Sequence, residues 1–408
     1  MRKAPFIDVS VVQDAATVVP PIKVCMHALR RARTDYRGMR TATALIKEGF
    51  EVSILDVEYG GTPPIEEDIG GVRVKHMLIR NWETSRRFEP WFFIIALWTF
   101  VRSLFWLIRT PADIYHAVEV TALPACYIAA RLRRKPLIFE AYELPMPETA
   151  VAFWRRLNGL FTHLLAKMLP RCVGVIATSP LDAEEIRKRF RVPEVCLVRN
   201  IPAYRTVRKS DRLRQHLGLS PSTSIALYQG GLQTRRRIDK LVSAAAFLEP
   251  DIVIVIRGEA GVEEAQLQAL IASEGVADRV KIIPPVPDYT EMLDWTASAD
   301  IGLIPYTPSV SLSVRFILPN KLFEYIMAGV PVLATQLDAV VEVIRTYDVG
   351  QVVSSSDPED IAAAINAMVA DRQALSRMHH NALQAAQELC WENESQQLIH
   401  FYRDILAK

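Results

Sequence analysis

Residues 318 to 332 read LPNKLFEYIMAGVPV, and three of them, Asn320, Lys321 and Glu324, carry chemistry. Pro319 and Asn320 are helix-start residues and Gly329 and Pro331 are stop signals, so a short helix over 320 to 328 is expected. Side chains three and four apart share a helix face, which puts Glu324 beside Lys321 and Asn320. With Asn320 as N-cap the reciprocal capping position is Phe323, so capping does not explain Glu324. First-turn amides and the Lys321 ammonium suit an anion. A carboxylate beside them suits two vicinal ribose hydroxyls, whereas a favourable place in the helix dipole is the plainer alternative. The combination fits a nucleoside diphosphate.

A second anion signal lies in YQGGLQTRRRIDKL. Gly230 and Gly231 let the backbone approach a ligand at a strand end, and Arg235, Arg236 and Arg237 precede the next helix, an arrangement suited to a diphosphate. A tight turn followed by a solvated basic patch is the alternative. Gly258, closing the next strand, and Leu322 complete the donor-side set. No GxGxxG follows the first strand of either half, which argues against a dehydrogenase.

These motifs need a frame. Short β-rich runs at 22 to 27, 51 to 56, 112 to 118, 135 to 141, 174 to 179 and 195 to 200 alternate with helical runs at 36 to 50, 122 to 133, 151 to 168 and 181 to 190. After a polar, proline-containing stretch the alternation restarts at 225 and continues to 354, and two or three helices fill 358 to 406. Alternation of this kind implies parallel, doubly wound sheets. The expected organisation is a loose leader over 1–20, a domain over 21–203, a second domain over 204–388, and a final helix over 389–408. A cleft between the two sheets is the default ligand site.

The chain has 408 residues, half of them hydrophobic, enough for two cores. Lys and Arg number 48 against 46 Asp and Glu, so a net charge of +2 gives no whole-chain case for nucleic acid. Five scattered cysteines without CxxC spacing argue against disulfides and zinc and favour the cytosol. Residues 91 to 109, WFFIIALWTFVRSLFWLIR, leave three readings open: a core helix, an interfacial helix with Arg102 snorkelling, or a membrane span. The basic amphipathic run 153 to 171 adds to the interfacial reading.

At several of these places the chain resembles glycosyltransferase family 4, retaining enzymes of the GT-B fold that use nucleotide-sugar donors. The resemblance rests on DYRGMRTATALIKEGFEVSIL, IYHAVEVTALPACYIAARL, IFEAYELPMPE, VRNIP, YQGGLQTRRR, ASADIGLIPY and above all LPNKLFEYIMAGVPVLAT. It implies an α/β GT-B architecture, two Rossmann-like domains facing across a cleft, with the donor on the carboxyl-terminal side and the acceptor on the other. The last helix, within CWENESQQLIHFYRDIL, is implied to cross back. Position by position, Glu324 matches the ribose-contacting glutamate and Arg236 the residue that neutralises the donor diphosphate. His116, Glu119 and Glu143 match the strand-end positions facing the acceptor, with the two glutamates as candidates to take the acceptor proton; a satisfied core histidine at 116 and a helix-start carboxylate at 143 are the plainer alternatives. Asp35 and Arg37 match residues lining the acceptor or a phosphate.

The departures are Phe316, where the motif's first glutamate is expected, Gly231 in place of an arginine, Val118 in place of a histidine, and Tyr142 in place of another. Lys321 or Arg315 is then expected to supply the missing positive charge. The implied reaction is sugar transfer of the hexosyl type from a nucleoside diphosphate sugar, with neither metal nor cofactor, to a glycan or lipid-linked acceptor. The setting is the cytoplasm or the inner membrane face. The alternatives are a silent relative that binds nucleotide sugar or a partner enzyme, and a nucleotide-sugar epimerase.

Overall fold

The computed structural model describes residues 20–59, 64–79, 89–145, 162–259, 262–286 and 288–407. The expected leader and most of the expected helix 151–168 lie outside them. Fourteen strands are present among these residues: β1 (Lys23–Ala28), β2 (Glu51–Tyr59), β3 (Glu66–Ile69), β4 (Val72–Ile79), β5 (Ile114–Val118), β6 (Leu137–Ala141), β7 (Gly174–Ala177), β8 (Val195–Leu197), β9 (Ser224–Gln229), β10 (Ile252–Arg257), β11 (Val280–Ile283), β12 (Ile301–Ile304), β13 (Val332–Thr335) and β14 (Gly350–Val353).

The helices of the amino-terminal half include α1 (Tyr36–Lys47), α2 (Glu89–Arg109), α3 (Glu119–Arg133) and α4 (Pro180–Phe190), and residues 162–168, the described end of the helix expected over 151–168, are helical too. In the second half they are α5 (Arg212–Leu217), α6 (Ile238–Ala244), α7 (Val262–Glu274), α8 (Met292–Thr296), α9 (Leu312–Phe316), α10 (Asn320–Met327), α11 (Asp338–Tyr347), α12 (Pro358–Ala370), α13 (Arg372–Glu388) and α14 (Trp391–Ala407).

The first sheet runs β3-β4-β2-β1-β5-β6-β7-β8 and the second β11-β10-β9-β12-β13-β14. All pairings are parallel except β3 with β4. Strands covered on both faces are continuous apolar runs, as in IYHAV of β5 and IVIVIR of β10, each residue of which is buried. The order in which strands are added reverses between β1 and β5 in one sheet and between β9 and β12 in the other. Ligand crevices open beyond the carboxyl ends of strands at such reversal points.

The antiparallel β3–β4 hairpin was not among the expected elements. Its two-residue Gly70–Gly71 turn, with φ of 62° and 87°, is a hairpin signal that stands in the sequence. Helices α5 and α9 were also unassigned, each being too short to show a period. α2 lies where the core, interfacial and spanning readings competed, and no described helix is long and apolar enough to cross a membrane.

α14 lies against the first sheet. Trp391, Leu398, Ile399, Phe401, Tyr402 and Ile405 join the core formed by β1, β2, β5 and α1. Gly174 makes this close approach feasible, because a Cβ there would sit 2.4 Å from the Phe401 ring. Arg199, just beyond β8, grips the buried Glu394 carboxylate with its guanidinium, Nη2 to Oε2 at 2.7 Å.

Candidate functional site

On the second sheet the reversal point is built from glycines and two cations. Gly230 follows β9 with φ of 119°, a left-handed conformation that favours glycine. A Cβ there would meet Arg236 Nη1 at 3.1 Å and Lys321 Nζ at 3.4 Å. Gly258 is needed for a different reason, since its Cβ would lie 2.3 Å from the Gly230 carbonyl oxygen. The backbone around 230 is therefore packed from below by Gly258 and flanked by two side-chain cations.

Lys321 is 4% exposed, and its ammonium has no hydrogen-bond partner among the described residues. It lies over the faces of Tyr228 at 3.6 Å and Tyr306 at 5.1 Å. Burial and the neighbouring Arg236 hold it well below the ordinary lysine range, against the pull of Glu324. For Arg236 burial opposes the charge, but Tyr306, Tyr228 and Glu143 raise it further. A buried ammonium without a partner costs several kcal/mol, so the site is destabilised until an anion arrives.

Glu324 lies one turn on, 7% exposed, and accepts from Gln229 Nε2 at 2.5 Å. Gln229 in turn takes Arg257 Nη2 at 2.6 Å and Thr296 Oγ1 at 2.8 Å on its own carbonyl oxygen. Burial raises the Glu324 carboxyl, with Gln229 and Arg257 acting against it. Gln229, Arg257 and Thr296 were not among the expected site residues. The signal for two of them is a polar residue closing an apolar run, Gln after SIALY and Arg after IVIVI.

Three expectations on this side are corrected. Pro319, not Asn320, is the N-cap of α10 and offers no side-chain cap; the exposed Asn320 instead accepts from Asn200 Nδ2 at 2.7 Å, bridging to the other half. Arg315 points to Asp338 at 2.7 Å rather than to the glycine turn, so Lys321 is the cation beside it. Leu322 is wholly buried core. Phe316 packs with Leu312 on the apolar core of the first domain, and its carbonyl accepts from Ser179 Oγ at 2.6 Å. That position is a domain contact.

On the first sheet the reversal point presents Glu119 and Asp35. Glu119 opens α3 with φ of 63°, an uncommon conformation for a side chain of this size. Its carboxylate accepts from Arg30 Nη2 at 2.7 Å, and burial raises its pKa against that partner. Asp35 caps α1 through the Gly38 amide and accepts from the Tyr142 hydroxyl at 3.1 Å. Glu143 stands exposed beyond β6. Its charge raises the carboxyls of Glu119 and Asp182 in its own domain and adds to the hold on the Arg236 charge opposite.

His116 follows its core-histidine alternative, and Arg37 is corrected outright. His116 is in mid-strand and 0% exposed, with Nδ1 2.7 Å from the Tyr402 hydroxyl and Nε2 3.0 Å from Glu140. Strand alternation turns it toward α14 rather than the cleft. Arg37 is 3% exposed, donates through Nε to Glu140 at 2.8 Å, and gives Nη2 to the Val198 carbonyl. Both belong to a buried strut.

Asp182, not anticipated, sits in the first turn of α4, 5% exposed, with Oδ1 lacking a hydrogen-bond partner among the described residues. Burial, with Glu143 adding, pushes its carboxyl up to about 7 from 3.8. The folded state then holds a proton the unfolded chain has released, so stability is lost as pH rises from about 4 through about 7. Asp182→Asn is accordingly expected to raise stability by roughly 2–4 kcal/mol at about pH 8 and little at about pH 4. Thermal melts of both proteins at the two pH values check this; an equal shift at both would refute it.

One acidic group elsewhere has metal-like composition. Asp56, Glu58 and His76 bring ligand atoms within 4.8 Å of one another. They are occupied among themselves and neighbours: His76 spans Asp56 and Glu67, Asp56 also takes the Ala32 amide, and Glu58 pairs with Arg31. Their evident work is to hold the turn before α1.

The family descriptions "Glycosyl transferases group 1" and "Glycosyltransferase Family 4" match residues 209–385 and 39–201 respectively. The chain belongs to glycosyltransferase family 4 and has the GT-B fold. A D-inositol 3-phosphate glycosyltransferase 2 of Catenulispora acidiphila is 30% identical over 44% of this chain and 42% of that protein, so this match spans less than half of the relative. D-inositol 3-phosphate glycosyltransferase 1 of the same organism is 28% identical over 90% of each. Among solved structures, sucrose-phosphate synthase from Thermosynechococcus elongatus superposes with TM-score 0.76 at 16% identity, over 95% of this chain and 99% of that one. Anabaena Alr3699/HepE in complex with UDP and glucose gives 0.69 at 14% identity, over 95% and 100%. At these identities the structural likeness concerns the fold.

Proposed function

We propose that this glycosyltransferase moves a sugar from a nucleoside diphosphate sugar to a glycan or lipid-linked acceptor, with retention at the anomeric carbon. Its expected role is surface polysaccharide or glycoconjugate synthesis. The carrying observation is Lys321: a buried ammonium without a hydrogen-bond partner among the described residues, beside Arg236, over a glycine turn at a sheet's reversal point. The diphosphate occupies that turn, and its developing charge on departure is met by Arg236, Lys321 and the first turn of α10. Glu324, held by Gln229, takes the ribose hydroxyls. Glu119, with Glu143 nearby, receives the proton of the acceptor hydroxyl. No cofactor besides the donor is proposed.

Retention is supported by the family resemblance, and the lipid-linked acceptor and a place at the inner membrane face by the apolar exterior of α2. The test is nucleotide release from UDP-, GDP- and ADP-sugars by the full chain. One donor is expected to turn over and to lose activity in Glu324→Ala and Arg236→Ala; no release and no thermal shift with any donor would overturn the proposal.

A further inference from the structure

The outward side of α2 carries Ile94, Leu97, Trp98, Val101 and Phe105, all exposed, with Leu97 64% accessible. Their three- and four-residue spacing makes one stripe along the helix. On α3, the helix packed beside it, Ile128 and Leu132 are also exposed. The inward side of α2 is already occupied, with Thr99, Ser103 and Leu107 buried against the sheet, so the described residues leave the stripe uncovered.

Its cations are equally unusual. Arg102 lays its guanidinium over the Trp98 ring at 4.3 Å, and Arg109 over Phe105 at 3.6 Å. Arg102 donates to the Leu78 carbonyl, and neither arginine has a carboxylate partner among the described residues. Arg109 also borders a cavity of about 210 Å³ at the foot of the sheet. There Glu51 and Glu66 are already engaged by Arg73 and Lys75, which leaves Arg109 uncompensated.

We propose that this stripe docks on an anionic phospholipid bilayer, with α2 lying in the interface and Arg102 and Arg109 meeting lipid phosphates. Aromatic and aliphatic side chains bordered by uncompensated arginines suit the acyl–headgroup boundary. A symmetric pairing of two copies would bring the same face together, setting unpaired arginines against each other. α2 starts beyond the carboxyl end of β4, on the side where the cleft opens. Docking through it sets the cleft mouth beside the headgroups, where a lipid-linked acceptor would be held. The inference deepens the acceptor reading above and depends on it only for this setting.

Flotation of the full chain with vesicles of phosphatidylcholine alone, or mixed equally with phosphatidylglycerol, tests it. Binding is expected to the mixed vesicles only and to weaken with salt. Arg109→Glu should lower the partition about 25-fold, fivefold for each of two charges. The exposed pair Leu97→Gln with Val101→Gln should lower it about tenfold or more, with melting temperature and donor turnover unchanged. Absent or equal binding to the two vesicle types would overturn the proposal. So would a vesicle-free dimer, seen by light scattering, that Leu97→Gln with Val101→Gln dissociates. Donor turnover is measured without vesicles, so its failure and the failure of docking are separate results.

Discussion

Lys321→Met is expected to lower turnover of the nucleoside diphosphate sugar by about 10²–10³-fold while leaving the unliganded protein at least as stable. Both effects have one cause. The ammonium is 4% exposed, touches aromatic faces, and lacks a hydrogen-bond partner among the described residues, so the empty protein bears its desolvation. Methionine fills a similar volume with no charge to desolvate. Loss of function with gain of stability is the pattern of a group kept for its ligand.

The sign with pH follows from the lowered lysine pKa. Between that value and 10.5 the unfolded chain holds a proton the folded one has lost, so the penalty is largest at low pH and fades as pH rises. A bound diphosphate reverses the preference and draws a proton onto Nζ. Donor binding should therefore take up a proton in this window, and affinity should fall as pH rises. Calorimetry in two buffers of different ionisation enthalpy reads the proton directly; unchanged turnover in Lys321→Met, or no proton uptake, would remove the lysine from the diphosphate site.

Much of the frame was legible because parallel strands covered on both faces must be apolar runs, and helices between them must punctuate. IVIVIR and IYHAV name their own burial. The glycine turn and PNKLFEY were legible for a related reason, since polar residues closing apolar elements have nowhere to go but the strand ends. What could not be read was direction. His116 and Glu119 are three residues apart in YHAVEV, yet one faces α14 and the other the cleft, because the strand ends at Val118 and Glu119 takes a left-handed turn. Arg315 and Lys321 were equal candidates by charge. Only the packing of Phe316 on the other domain carries Arg315 away, to Asp338. Asp182 was hidden because a carboxylate in a helix's first turn usually needs no further explanation.

Glu140→Ala is expected to destabilise the protein by about 3–5 kcal/mol at neutral pH. Glu140 is completely buried and holds Arg37 through Nε at 2.8 Å, with His116 Nε2 at 3.0 Å on its other oxygen. Burial alone would raise its carboxyl, but Arg37 and His116 prevail and bring it down to about 2 from 4.5. A lowered acid contributes above its unfolded value and loses that contribution as pH falls toward the folded one. The deficit should therefore be complete above about pH 5 and shrink between 4.5 and about 2. Removing both partners of the pair, Glu140→Ala with Arg37→Met, should recover part of the loss, because most of it is the arginine left buried alone. The strut also carries α14, through the His116 contact with the Tyr402 hydroxyl. Amide exchange in α14 should rise in Glu140→Ala before global unfolding, and activity should fall with it. The same measurement separates support from catalysis at His116: a His116→Ala protein that loses turnover while α14 exchange and melting temperature stay unchanged would return that histidine to the chemistry.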